Sequence, residues 1–402
     1  MRKIDLTNFQ VATSETARHI NRRIALSIIR RHQPMSRADL ARRSGLQRST
    51  VSAIIGQLID EGWVTEGASP VSGRGRRPRL LHLNVERAGI LAVDLRPVTT
   101  RVALAGLDAR FLMQTAWPTP GTPEEFASEV ARTVAAFRKT DPGTVYEGMG
   151  VSLPGRVDSA GRLVFAPNLH WRPVDLKQLL ESSVGLPVVL ENAACACALA
   201  ELWFGRQPDD VRHLVAVTVS EGIGVGMLLN GQLIHGRDAM AGEFGHVTLD
   251  EDGPPCSCGK RGCWEQYASN SAAVRYYQGL LGGAAAPADP SASAATLKFT
   301  DILRLADDGD AYAIETLERM ARYLGIGIAP LVTGLAPQVV VVIGEITAAW
   351  DLVGPIVLDV VKRRTLSSNT TQIVPTDPAT QPRLRGAVTL VVQQHFGAPN
   401  VA

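Results

Sequence analysis

The chain has 402 residues, 45% of them hydrophobic and 20% charged, which suits two or three packed domains and excludes a disordered or fibrous polymer. No apolar run reaches the roughly eighteen residues of a membrane span, and the start, MRKIDLTNFQ, is polar where a signal peptide would be apolar, so the expected location is the cytoplasm. The net charge of +2 hides a division: residues 1–85 carry 15 Lys and Arg against 6 Asp and Glu (+9), residues 86–402 carry 26 against 33 (−7). A basic front on an acidic body is the footprint of a nucleic-acid module joined to a soluble partner domain, although merely well-solvated Arg-rich helices give the same signal.

Residues 20–31 place Ile20, Ile24, Ala25, Ile28 and Ile29 on one helical face, and Gln33-Pro34 stops the helix. Ser36 with Asp39 three residues later predicts a capped start for a short helix over 37–44, ended by Gly45. A third helix is predicted from about Gln47 to Glu61, burying Val51, Ile54, Ile55, Leu58 and Ile59. Helix, short helix, glycine turn, helix is the helix-turn-helix pattern. It leaves Gln47, Arg48, Ser49, Thr50 and Ser52 at the exposed N-terminal end, polar groups suited to phosphate oxygens and base edges of double-stranded DNA. The alternative is a three-helix unit packed on a protein partner.

Residues 63–66 and 79–83 read as two strands around a Gly/Pro/Arg loop, which makes a winged helix. The tip glycines allow the backbone close to DNA, and Arg74, Arg76 and Arg77 suit a narrow minor groove; a solvated loop is the alternative. The first 85 residues are thus expected to form a DNA-binding domain.

Downstream, buried strands are predicted at 89–95, 100–107, 146–152, 187–190, 213–219, 222–226 and 338–344, with a helix over 193–204. Strands alternating with helices argue an α/β body. The stretch 282–295 is an Ala/Pro/Ser/Gly insertion with nothing to build a core. No sequence repeat is evident. The cysteines are Cys195, Cys197, Cys256, Cys258 and Cys263. His246, Cys256, Cys258 and Cys263 supply one imidazole and three thiolates, a closed tetrahedral set for structural zinc; three reduced thiols beside a core histidine are the alternative. Cys195 and Cys197, in an Ala-rich helix, read as packing residues.

Ala241-Gly242-Glu243-Phe244-Gly245-His246 followed by Cys256-Ser257-Cys258-Gly259-Lys260-Arg261-Gly262-Cys263-Trp264-Glu265 resembles the ROK family of repressors, open reading frames and kinases. Weaker matches are 154–158, 167–169 and Glu191-Asn192, and the resemblance covers nearly the whole chain. It implies an actin-like (ribonuclease-H-like) sugar-kinase-type body of two lobes around a cleft. The expected layout is a first lobe over 86–190, a second with the zinc and sugar residues over 191–375, and a C-terminal segment, 376–402, returning to the first. The resemblance assigns sugar contacts to Asn192, Glu243, His246 and Glu265, and more weakly to Gly155, Arg156 and Asn168. Glu243 lies three residues before one metal ligand and Glu265 two after another, so a bound ion would fix both carboxylates; both could also be surface groups.

Where active members of the family carry the catalytic base, Asp in Glu-Asn-Asp, this chain has Glu191-Asn192-Ala193. The first phosphate loop is replaced by Leu95-Arg96-Pro97 after Asp94, the second by Ser220-Glu221-Gly222, and the last glycine cluster is reduced to Gly344-Glu345. These four departures predict no catalytic residues and lost ATP chemistry with a retained sugar pocket. The expectation is a sugar-responsive transcriptional regulator, a repressor released by a sugar or sugar phosphate and acting as a homodimer or homotetramer. The alternatives are a sugar kinase with an accessory DNA-binding head, using Asp94 or Glu191 as base, and a regulator whose body binds another protein.

Overall fold

A computed structural model describes residues 14–67, 79–158, 160–208, 210–282 and 297–396. Arg74, Arg76 and Arg77, and most of the 282–295 insertion, lie outside them.

The basic front folds as α1 (Ser14–His32), β1 (Met35–Ser36), α2 (Arg37–Ser44), α3 (Arg48–Asp60), β2 (Val64–Gly67) and β3 (Leu80–Leu83). The Ser36–Asp39 capping box is formed in both directions, and Gly45 ends α2 in the left-handed conformation at φ 72°. The strands build a winged-helix sheet in the order β1-β3-β2. The two-residue β1, too short to show periodicity, was not anticipated.

The body begins with β4 (Gly89–Asp94), β5 (Thr99–Ala105), β6 (Phe111–Pro118), α4 (Pro123–Thr140), β7 (Tyr146–Leu153), β8 (Arg156–Val157), β9 (Leu163–Phe165), α5 (Leu176–Val184), β10 (Val188–Asn192) and α6 (Ala193–Phe204). It continues with β11 (Leu214–Val219), β12 (Ile223–Leu229), β13 (Gln232–Leu233), α7 (Glu265–Ala268), α8 (Asn270–Gly282), α9 (Phe299–Asp307), α10 (Ala311–Leu335), β14 (Val339–Gly344), α11 (Trp350–Arg364), β15 (Gln372–Pro375) and α12 (Pro382–Phe396).

Two five-stranded sheets result, ordered β10-β7-β4-β5-β6 and β13-β12-β11-β14-β15. In each, three strands form an antiparallel meander, and two more are added in parallel on the other side of its first strand. The lobes therefore share one topology, a repeat carried by connectivity and invisible in the letters. The long apolar strands were legible because parallel strands buried on both faces read as continuous Val/Ile/Leu runs. The edge strand β6 is half exposed, with no such signature.

α12 packs on α6, β7 and β4, and its far end meets the winged helix. Leu26, Ile29, Trp63 and Leu81 of the head share one buried apolar cluster with Ile90 of β4 and Leu384, Val388, Val392 and Phe396 of α12. The Trp63 ring lies 5.8 Å from that of Phe396, edge-on, and 4.9 Å from that of His395. Ser27 Oγ donates to the Phe396 carbonyl at 2.6 Å, and Arg30 donates to the Trp203 carbonyl at 3.1 Å while its guanidinium stacks over the indole. Head and body thus share a core. Among the described residues no helix is long and apolar enough to cross a membrane.

Candidate functional site

A cavity lies between the two sheets, lined from one side by the 154–157 turn and the end of β10, and from the other by β12 and residues 235–246. All seven residues expected at the sugar, Gly155, Arg156, Asn168, Asn192, Glu243, His246 and Glu265, line it. Asn192 ends β10 and caps α6: its Oδ1 accepts from the Ala194 N–H and its Nδ2 donates to the Gly155 carbonyl, both at 2.8 Å. Each half of the amide keeps one free direction for a hydroxyl. Gly155 sits at φ 104°, and a side chain there would strike the Phe165 backbone. Arg156 lies against Met240 and leaves its buried Nε without a partner.

Glu243, Phe244, Gly245 and His246 form a single tight turn against β12. A Cβ on Gly242 or Gly245 would collide with the Val225 or Ile223 carbonyl, so glycine at both positions lets the turn seat on the strand. His246 faces two ways. Its Nδ1 lies 3.5 Å from Cys256 Sγ and 3.5 Å from Glu265 Oε1, while Nε2 points to Glu243 at 3.8 Å. The ligand atoms of His246, Cys256, Cys258 and Cys263 all lie within 4.8 Å of one another. Four donors, three of them thiols, are thus placed to hold a metal ion. Gly262, at φ 63°, closes the knuckle where any side chain would overlap the Asp250 carbonyl. Burial pushes the Cys256 thiol up, and its 3.0 Å hydrogen bond to Glu265 pushes the same way. Cys195 and Cys197 are buried in α6, far from thiolate character; burial pushes Cys197 up to about 12.

The other end of the cleft is filled by charge. Asp94 is buried, and Arg383 Nε reaches its Oδ1 at 2.6 Å while Arg96 Nε reaches its Oδ2 at 2.8 Å. Arg383 also donates to the Leu95 carbonyl at 3.0 Å. Arg96 continues to Glu345 at 3.6 Å, and Asn270 Nδ2 donates to Glu345 Oε2 at 3.0 Å. Burial works against the Arg96 charge, but Asp94 and then Glu345 and Glu221 outweigh it, so its guanidinium is held above the usual range. Ala193 lines the cavity with a methyl group. Arg383 escaped the sequence reading because its partner is 289 residues away.

On the head, Gln47 caps α3 and Arg48, Ser49 and Ser52 are exposed on its first turns, with Thr50 half-buried. Arg42 and Arg43, exposed in the last turn of α2, belong to the same basic end and were not singled out from sequence. Glu66 of β2 pairs with Arg37 at 2.7 Å and Arg79 at 3.3 Å, fixing the base of the wing.

A winged helix sharing a core with a two-lobed, sugar-kinase-type body defines the class. Residues 90–394 match the ROK family and residues 21–75 the MarR family; the chain belongs to the ROK family. It is similar to the xylose repressor of Bacillus subtilis (strain 168), 31% identical over 346 residues, 85% of this chain and 86% of that protein. Among solved structures it resembles a ROK family transcriptional regulator described as a homologue of the Escherichia coli MLC protein, with TM-score 0.79 and 24% identity over 94% of this chain and 98% of that one. It also resembles a ROK family glucokinase from Streptomyces griseus in complex with glucose and AMPPNP, with TM-score 0.66 and 30% identity over 75% of this chain and 99% of that one.

Proposed function

We propose that this chain is a sugar-responsive transcriptional repressor without kinase activity. One contrast carries the reading: the sugar end of the cleft keeps hydroxyl-binding groups unspent, whereas the phosphate end has neutralised its own aspartate with Arg96 and Arg383 and lacks a base at Ala193. Phosphoryl transfer needs both a proton acceptor for the sugar hydroxyl and a receptive phosphate cradle. The similarity to the xylose repressor supports the regulatory half of the reading.

The head binds operator DNA through Gln47, Arg48, Ser49, Thr50 and Ser52 in the major groove, with Arg74, Arg76 and Arg77, which lie outside the described residues, as the further contacts the sequence suggests. A homodimer on a palindromic site matches this arrangement. Asn192 of the first lobe and Glu243, His246 and Glu265 of the second take the sugar, with Gly155, Arg156 and Asn168 beside Asn192. The metal is structural zinc: three thiols and an imidazole with no open position suit it, and Zn–S bonds of about 2.3 Å put tetrahedral sulfurs about 3.8 Å apart, close to the 3.6 Å between Cys258 and Cys263. When bound, the ion would tie its four ligands together, its charge taken up by the three thiolates, and would supply no reaction chemistry. His246 then offers Nδ1 to the metal and Nε2 to a sugar hydroxyl, which unites its two roles.

Signal transfer follows α12, which carries Arg383 in its first turn at the cleft and ends at Phe396 against Trp63, about 20 Å away at 1.5 Å per residue. Sugar releases DNA only if it binds better to the form in which this joint disfavours operator contact. Isothermal titration with a panel of free and phosphorylated pentoses and hexoses, with and without operator DNA, tests this. The expected result is reciprocal weakening of sugar and operator binding. Equal affinities overturn the repressor reading, and sugar phosphate formed from ATP establishes the kinase instead.

A further inference from the structure

Glu191 and His235 line the cleft and remain outside the account above. Glu191 is the penultimate residue of β10, whose pairing with β7 carries the first lobe's sheet to Asn192, past the expected boundary at 190, and its side chain is 15% exposed; His235 follows β13 in the second lobe with its side chain 48% exposed. Each oxygen of the carboxylate has a partner: Oε1 accepts from the Asn192 N–H at 2.8 Å, and Oε2 lies 2.8 Å from His235 Nε2. The imidazole is therefore held by one nitrogen. No partner of Nδ1 is seen among the described residues.

The backbone fixes the ring's base. The His235 carbonyl accepts from the Ala241 N–H at 2.9 Å, closing a tight loop that leads directly into Gly242 and Glu243. Gly236 turns within that loop at φ 65°. The position of His235 is thus tied to that of Glu243, and its ring to Glu191, which precedes Asn192. One imidazole joins the sugar-side groups of both lobes.

We propose that His235 is a specificity-determining residue: its Nδ1 hydrogen-bonds a hydroxyl of the bound sugar, with Glu191 fixing which ring nitrogen is free and where it points. The idea rests on the sugar-binding reading of the cleft. A carboxylate that holds one imidazole nitrogen leaves the other to the ligand in a set orientation. The methyl of Ala193 offers no partner in the same cavity, so a hydroxyl on that side must find one elsewhere or stay buried and unpaired. Because Glu191 and His235 come from different lobes, their hydrogen bond needs both in place, and the hydroxyl is read only in the closed cleft.

The test uses the full-length protein. The sugar panel is titrated first, and the tightest-binding sugar is compared with its single-position deoxy analogues and epimers. His235→Phe keeps a flat ring without the nitrogen. It is expected to weaken the preferred sugar about tenfold or more and to abolish discrimination at one hydroxyl only, with His235→Gln restoring part of both. Operator affinity without sugar is expected to stay within about twofold, reporting an intact fold. An unchanged affinity and ranking overturns the proposal, and so does an equal loss for every sugar, the mark of a merely structural residue. Wild-type protein that binds no sugar overturns this proposal and the sugar-binding reading together; wild-type binding with an indifferent His235→Phe overturns this one alone.

Discussion

At the end of the cleft proposed to take sugar the Glu243 side chain is 39% exposed and lines the cavity. At the opposite end Asp94 is 2% exposed and held between two guanidinium groups. Both residues are carboxylates of one fold, but Glu243 lines the cavity whereas Asp94 is buried with an arginine on each oxygen, so only the first is open to a ligand. A residue at the expected place does not suffice for an activity, because its hydrogen-bonding directions must also be free. Arg383 at the start of α12 and Arg96 after β4 consume those of Asp94.

Substitutions that exchange the character of the two ends probe this contrast. The largest effect is expected from Arg383→Met, which leaves Asp94 buried with half its compensation. Breaking such a pair costs about 3 kcal/mol, measurable as a lowered urea midpoint; a midpoint within error of wild type would mean that Asp94 needs no partner. Elemental analysis of the wild-type protein is expected to find one metal ion per chain; Cys258→Ser is expected to abolish it, to lower Tm by more than about 5 °C and to remove the sugar response while operator binding persists in part. Normal metal content would refute the ligand set. Glu243→Gln is expected to weaken sugar binding about 10–100-fold by calorimetry with operator affinity intact. Arg48→Ala is expected to weaken operator binding several-fold and to reduce its salt slope by about one counterion; an unchanged slope would take Arg48 off the phosphate backbone. The smallest effect belongs to Ala193→Asp. With Asp94 still neutralised, it is expected to form no sugar phosphate in a coupled ATP assay, and appearance of product would show that the missing base was the whole defect.

Legibility from sequence followed the range of the interactions. The His/Cys cluster placed to hold a metal could be read completely because its four residues fall within 246–263. The short helix α2 could be read because Ser36, Asp39 and Gly45 are local signals that the fold leaves undisturbed. Charge neutralisation around Asp94 could not be read beyond the crowding by Arg96, since Arg383 enters from the other end of the chain. The Glu191–His235 contact was hidden for the same reason: it spans 44 residues and joins different lobes. The shared sheet order of the lobes was hidden because packing constrains only apolar character, which many sequences satisfy.

The apolar cluster that runs from α1 through Trp63 into α12 has a practical consequence for anyone dividing the molecule. An isolated winged helix would expose the faces of Leu26, Ile29 and Trp63 that Phe396 and Val392 now cover, so a truncated reader is expected to be sticky and poorly soluble. Transplanting it onto a foreign sensor would require carrying the terminal helix along.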